Sequence, residues 1–122
     1  MSKVLIADDS SVLRRIMMRV LREADPELDE FVEASTGDEA LVRFERQPDI
    51  ALVVCDVDMP GLDGWAVSRA LRARRASGEL AIVLVAKHGD ASAAQRAAAS
   101  GANACVTKPF TADSIRALVA RG

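Results

Sequence analysis

Short apolar runs alternate with stretches of helical periodicity along the whole chain. Lys3 to Ala7 (KVLIA) reads as a buried strand and runs straight into Asp8-Asp9-Ser10. From Ser10 the period changes. Val12, Leu13, Ile16, Met17, Val20 and Leu21 recur at helical spacing, with Arg14, Arg15, Arg19 and Arg22 on the other face. Asp25-Pro26 ends that helix. Phe31 to Ala34 is a second, weaker strand. Thr36-Gly37-Asp38-Glu39 has the form of a capping box, and Ala40, Leu41 and Phe44 continue a helix up to Pro48. Ile50 to Cys55 (IALVVC) is a continuous apolar run, as expected of a central strand buried on both faces. Asp56 to Gly64 is a loop rich in Asp, Pro and Gly. Asp63 caps a third helix, with Val67, Ala70 and Leu71 inward and Gly78 past its end. Leu80 to Ala86 is a fourth strand, Asp90 to Ser100 an Ala-rich helix stopped by Gly101, Asn103 to Thr107 a fifth strand, and Thr111 to Arg121 a short last helix.

Five strands alternating with five helices predict an α/β fold: a doubly wound, five-stranded parallel sheet of the flavodoxin-like (βα)5 type, with right-handed crossovers. One domain is expected to span residues 1–122. In such a sheet, ligands bind beyond the carboxyl ends of the strands, where the strand order reverses. Three of the predicted strands end in charge there. The first runs into Asp8 and Asp9, the third into Asp56 and the fifth into Lys108, so all four residues lie on one sheet edge. In the order 2-1-3-4-5, strands one and three are neighbours about 4.8 Å apart, and Asp9 and Asp56 face one crevice. Lys108 comes from two strands away, within reach of a long side chain.

Three carboxylates in one crevice repel one another, and a hard divalent cation removes the conflict. Mg²⁺ prefers oxygen ligands and is typically held by one or two carboxylates, waters and phosphate oxygens. Asp8, Asp9 and Asp56 form the acidic set, Asp9 and Asp56 fit as ligands, and the backbone carbonyl of Asp58 adds a third oxygen. The same arrangement suits phosphoryl transfer. A carboxylate acts as nucleophile to form an aspartyl phosphate, while metal and a cation neutralise the transferring group. Asp56 is the candidate acceptor, with Mg²⁺ and Lys108 as stabilisers.

Composition narrows the setting. A net charge of −2, with the Arg residues scattered over helix faces, offers no electrostatic case for nucleic acid. No apolar run approaches the ~20 residues of a membrane span, and the stretch before Asp8 is too short for a signal peptide, so the cytoplasm is the expected compartment. Cys55 and Cys105, each inside an apolar run, read as buried free thiols.

Three stretches, VLIADDSS (Val4 to Ser11), DVDMPGLDG (Asp56 to Gly64) and TKPF (Thr107 to Phe110), resemble the receiver domain of bacterial two-component response regulators. The resemblance covers the whole chain, and DDSSVLRRIMMRVL is most similar to single-domain chemotaxis regulators. It implies that Asp56 accepts a phosphoryl group from a sensor histidine kinase or histidine phosphotransfer protein. It further implies that Asp8 and Asp9 organise Mg²⁺ with Asp9 a direct ligand, that Lys108 contacts the phosphoryl group, and that Lys108-Pro109 is a cis peptide. The fourth helix, fifth strand and fifth helix would form an output face for a downstream protein partner. The chain would then be a monomer or weak dimer, and no enzyme beyond catalysing its own phosphorylation and dephosphorylation.

Two positions depart from the family pattern. Members usually carry Thr or Ser at the end of strand four. The local match LVAK puts Val85 there, and a gap-free count back from Lys108 puts Ala86 there. Many also carry Tyr or Phe three residues before the Lys, where Cys105 stands. The acids and Lys108 are intact, so the expectation is phosphorylation with a weakened or rewired switch.

Of the other residues, His88 reads as an exposed loop residue, Trp65 as core or partial cover, and the Ala-rich helix as a weakly anchored one. Three rival classes compete. A pseudo-receiver would bind partners without taking phosphate. A haloacid-dehalogenase-type phosphatase would share the Asp-x-Asp loop, but Met59 and Pro60 follow here and the chain is short. A flavodoxin-like cofactor binder needs a phosphate cradle after strand one, where this chain has two carboxylates.

Overall fold

A computed structural model describes residues 2–120. The elements alternate without exception: β1 (Ser2–Ala7), α1 (Ser11–Ala24), β2 (Leu28–Ala34), α2 (Gly37–Arg46), β3 (Ile50–Asp56), α3 (Gly64–Arg72), β4 (Ala81–Ala86), α4 (Ala93–Ala99), β5 (Ala104–Thr107) and α5 (Ala112–Ala120). The five strands form one parallel sheet in the order β2-β1-β3-β4-β5. The order reverses between β1 and β3, as in the expected 2-1-3-4-5 arrangement.

The continuous apolar runs form the middle of the sheet because residues of alternate parity must cover opposite faces. Val53 and Cys55 of β3 pack with Ala40 and Phe44 of α2, Val67 and Leu71 of α3, and Ala93 and Ala97 of α4. Val54, between them, packs on the other face with Met17, Val20 and Leu21 of α1 and Ile115 of α5.

Three helices start on the side chains that the sequence marks. Ser10 Oγ accepts from the N–H of Leu13 at 3.2 Å, Thr36 Oγ1 from that of Glu39 at 3.0 Å, and Asp63 Oδ1 from that of Ala66 at 2.9 Å. Each such cap is worth about 1 kcal/mol. The box at Thr36 differs in detail. Glu39 Oε1 reaches past the capping residue to the N–H of Ser35 at 2.6 Å and to its hydroxyl at 3.0 Å.

Several boundaries move where a tertiary partner competes with local pattern. β2 begins at Leu28 rather than Phe31, because pairing with β1 recruits its polar first half. α4 starts at Ala93 rather than Asp90. Asp90 Oδ1 takes the N–H and the hydroxyl of Ser92, which closes a turn before the helix and leaves Ser92 without a side-chain cap bond. β5 begins after Asn103, whose Oδ1 accepts from Ile82 N–H at 2.7 Å and from Arg72 Nη2 at 2.6 Å. The last helix is described to Ala120, and Arg121 lies outside the described residues. Val12, expected on the inner face of α1, is 60 % exposed.

Candidate functional site

Parallel register delivers the four charged residues to one place. β1 ends at Ala7, paired with Cys55 of β3, so Asp8 and Asp56 leave adjacent strands side by side. Asp56 is in register with Val85, and the N–H of Val57 donates to the Val85 carbonyl at 3.0 Å. The N–H of Lys108 donates to the carbonyl of Ala86 at 2.8 Å, which ties the end of β5 to the end of β4. The Lys108-Pro109 peptide is cis, as the resemblance implied.

Side chains then close the gap that the strands leave. Lys108 Nζ donates to Asp56 Oδ2 at 2.9 Å across the two-strand distance. Asp56 Oδ1 accepts from the N–H of Asp58 at 3.0 Å. Carboxylate oxygens of Asp8, Asp9 and Asp56 all lie within 4.8 Å of one another. Asp8 and Asp56 are buried, whereas Asp9 and Asp58 are exposed. Behind the cluster, α3 sits hard against the acceptor. A Cβ on Gly64 would come within 2.6 Å of the Asp56 carbonyl oxygen and of Val57 Cα, so only glycine fits there.

Of the Asp8 carboxylate, Oδ1 accepts from the N–H of Ser10 at 2.8 Å, and Oδ2 is buried with no partner. Burial, opposed by the Ser10 amide and reinforced by the charge of Asp56, raises its pKa from 3.8 to about 6. For Lys108, burial works to lower the pKa. The Asp56 hydrogen bond and the charges of Asp56, Asp8 and Asp58 outweigh it and raise the value. The ammonium is therefore held in its charged form.

The residues fit a hard cation. All donors are oxygens, one buried Asp8 oxygen has no hydrogen-bond partner, and exposed Asp9 leaves a wet side for the waters that Mg²⁺ keeps. The raised Asp8 also sets a pH dependence. In the absence of cations, the folded chain keeps a proton on Asp8 that the unfolded chain releases near pH 4. This contribution to stability is whole below about pH 4, is lost as pH rises through about 6, and amounts to about 1–3 kcal/mol. Asp8→Asn, which holds its neutral form at every pH, is therefore expected to gain that much over the wild type between pH 4 and pH 7. Urea unfolding in chelator checks it, and an equal gap at both pH values would count against it.

The structure places the two departures as well. Ala86, the last residue of β4, occupies the strand end, with Val85 one residue inside, and both are fully buried without a hydroxyl. Cys55 is buried, and burial pushes its thiol well above the physiological range. Cys105 was expected buried and is only partly so, because short β5 lies at the sheet edge. Its thiol is also raised by burial, and both cysteines are free. His88 is exposed, and Trp65 is core, with the guanidinium of Arg96 4.5 Å above its ring. Periodicity assigned Arg14 to the solvent face. Instead its Nη1 donates to the main-chain carbonyl of Asp8 at 2.7 Å and its Nε to Glu33 Oε1 at 2.9 Å. No local signal marks it, since both partners are set by tertiary packing.

A family model described as the response regulator receiver domain matches residues 4–120. The chain is 31 % identical over 117 residues to a probable chemotaxis protein CheY of Rhizobium etli, covering 96 % of this chain and 88 % of that protein. Among solved structures, a response regulator from Chloroflexus aurantiacus superposes with a TM-score of 0.84 at 30 % identity, over 98 % of this chain and 95 % of that one. The chemotaxis response regulator CheY4 of Vibrio cholerae superposes with a TM-score of 0.80 at 26 % identity, over 99 % and 98 %.

Proposed function

This chain belongs to the response regulator receiver domain family, and from that premise we propose that it is a phosphoacceptor switch whose acceptor is Asp56. The donor is the phosphohistidine of a sensor kinase or phosphotransfer protein. The response is altered binding of a downstream protein through α4, β5 and α5, and chemotaxis is the pathway that its relatives' names suggest. One observation supports this most. A buried strand-end carboxylate, Asp56, has two further acids within 4.8 Å and an ammonium at 2.9 Å. A lone solvated acid has no such surroundings.

The chemistry divides among the chain's own residues. A carboxylate oxygen of Asp56 attacks phosphorus. The bond from phosphorus to the donor nitrogen breaks, and its electron pair leaves with the imidazole. Each Asp56 oxygen carries one partner and keeps a free lone pair for attack, and in this reading the Lys108 ammonium shifts from Oδ2 onto a phosphoryl oxygen as charge moves there. The Lys108 side chain is 35 % exposed and has the freedom to do so. Asp8, Asp9, Asp56 and the Asp58 carbonyl would hold Mg²⁺, which when bound neutralises charge on the acids and on the phosphoryl oxygens. Nothing here calls for turnover of an outside substrate.

A second reading draws on Ala86 and Cys105. A chain without the usual hydroxyl and aromatic ring could be a pseudo-receiver, binding partners without phosphate. Intact-mass measurement separates the two. With Mg²⁺ and a small acyl-phosphate donor the protein is expected to gain one phosphoryl group, and a chelator to suppress the gain. No adduct with Mg²⁺ present would favour the pseudo-receiver.

A further inference from the structure

Resting on the phosphoacceptor reading above, we propose that Arg14 is a positioning residue for the divalent cation. It acts through the main-chain carbonyl of Asp8 and is itself held by Glu33. Asp8 is pinned on three sides. Its N–H donates to the Ala34 carbonyl at 3.1 Å, its Oδ1 accepts from Ser10, and its carbonyl accepts from Arg14 Nη1 at 2.7 Å. The orphaned oxygen, Oδ2, is left for the cluster. The Asp8 carbonyl and the Asp9 N–H share one planar peptide. Holding that carbonyl therefore fixes the direction in which Asp9, the exposed acid of the set, leaves the main chain.

Glu33 completes the strut. It lies on β2 beside Ala34, which accepts from the Asp8 N–H, so β2 grips the β1–α1 turn both directly and through Arg14. The Arg14 side chain is 15 % exposed against 45 % for Glu33, so the guanidinium is the enclosed partner. Its planar fork serves two acceptors in different directions at once, which an ammonium on a flexible stem does not reproduce. Glu33 also balances its charge. Unpaired, Arg14 would compete with a divalent ion for Asp8 and Asp9.

The sign of one measurement separates positioning from mere proximity. A cation standing near the site repels a divalent ion, so a neighbour acting by charge alone would, when neutralised, tighten metal binding. A positioning residue would loosen it. Mn²⁺ binding, read from loss of the free-ion EPR signal, is expected to weaken about tenfold in Arg14→Gln and Arg14→Lys, the scale seen when a ligand's supporting partner is removed. Glu33→Gln is expected to weaken it several-fold, and Arg14→Lys/Glu33→Gln no more than Arg14→Lys alone. Thermal melts in chelator are expected to stay close to wild type for Arg14→Lys, which keeps the charge and so keeps the test open if Arg14→Gln folds poorly. Unchanged or tighter binding in Arg14→Lys and Arg14→Gln would overturn the proposal while leaving the phosphoacceptor reading intact. A wild type that binds Mn²⁺ no better than Asp9→Asn would instead overturn the reading itself.

Discussion

Asp56→Asn is expected to leave a folded protein that gains no phosphoryl group from any donor. The amide keeps the shape of the carboxylate and, with its one acceptor oxygen, the contact to the Asp58 N–H, while the contact to the partly exposed Lys108 side chain is given up. It lacks the anionic oxygen that must form the new bond to phosphorus. The fold should not suffer. Asp56 is 2 % exposed, and its charge helps to raise Asp8, so removing it relieves a repulsion between buried acids. Intact mass after incubation with Mg²⁺ and an acyl phosphate checks the loss, and a thermal melt checks the fold. An adduct of equal yield on the variant would move the acceptor elsewhere. Asp8 and Asp9 are then the nearest carboxylates.

Lys108→Ala is expected to slow phosphorylation by about two orders of magnitude, the usual cost of removing one charge-stabilising donor from a transition state. Its effect on the fold should be small. The pair with Asp56 is tight at 2.9 Å, but the Lys108 side chain is 35 % exposed, so solvent screens it and about 1 kcal/mol is the ceiling. A second signature accompanies the first. Without the ammonium, only the metal neutralises Asp8 and Asp56. Added Mg²⁺ should therefore raise the melting temperature of the variant more than that of the wild type. Single-turnover phosphorylation rates and melts with and without Mg²⁺ measure both. An unchanged rate would remove Lys108 from the chemistry and leave it a structural counter-ion.

Much of this protein is written in patterns that span only a few residues, which is why the chain alone discloses them. Runs such as Ile50 to Cys55 and Leu80 to Ala86 are too short and too apolar for anything but covered strands. Ser10, Thr36 and Asp63 announce helices because a side-chain oxygen bonds an amide three residues on. Alternation of the two periods determined a parallel sheet, and the sheet determined that Asp8, Asp9, Asp56 and Lys108 share an edge. Tertiary structure alone decided how those groups divide the work. Register buried Asp8 while leaving Asp9 in solvent, and it orphaned one Asp8 oxygen. Packing turned Arg14 from the solvent face to the Asp8 carbonyl and left Val12 uncovered. Such facts depend on partners brought together from distant parts of the chain, and helical or strand periodicity carries no information about which distant residue will stand opposite.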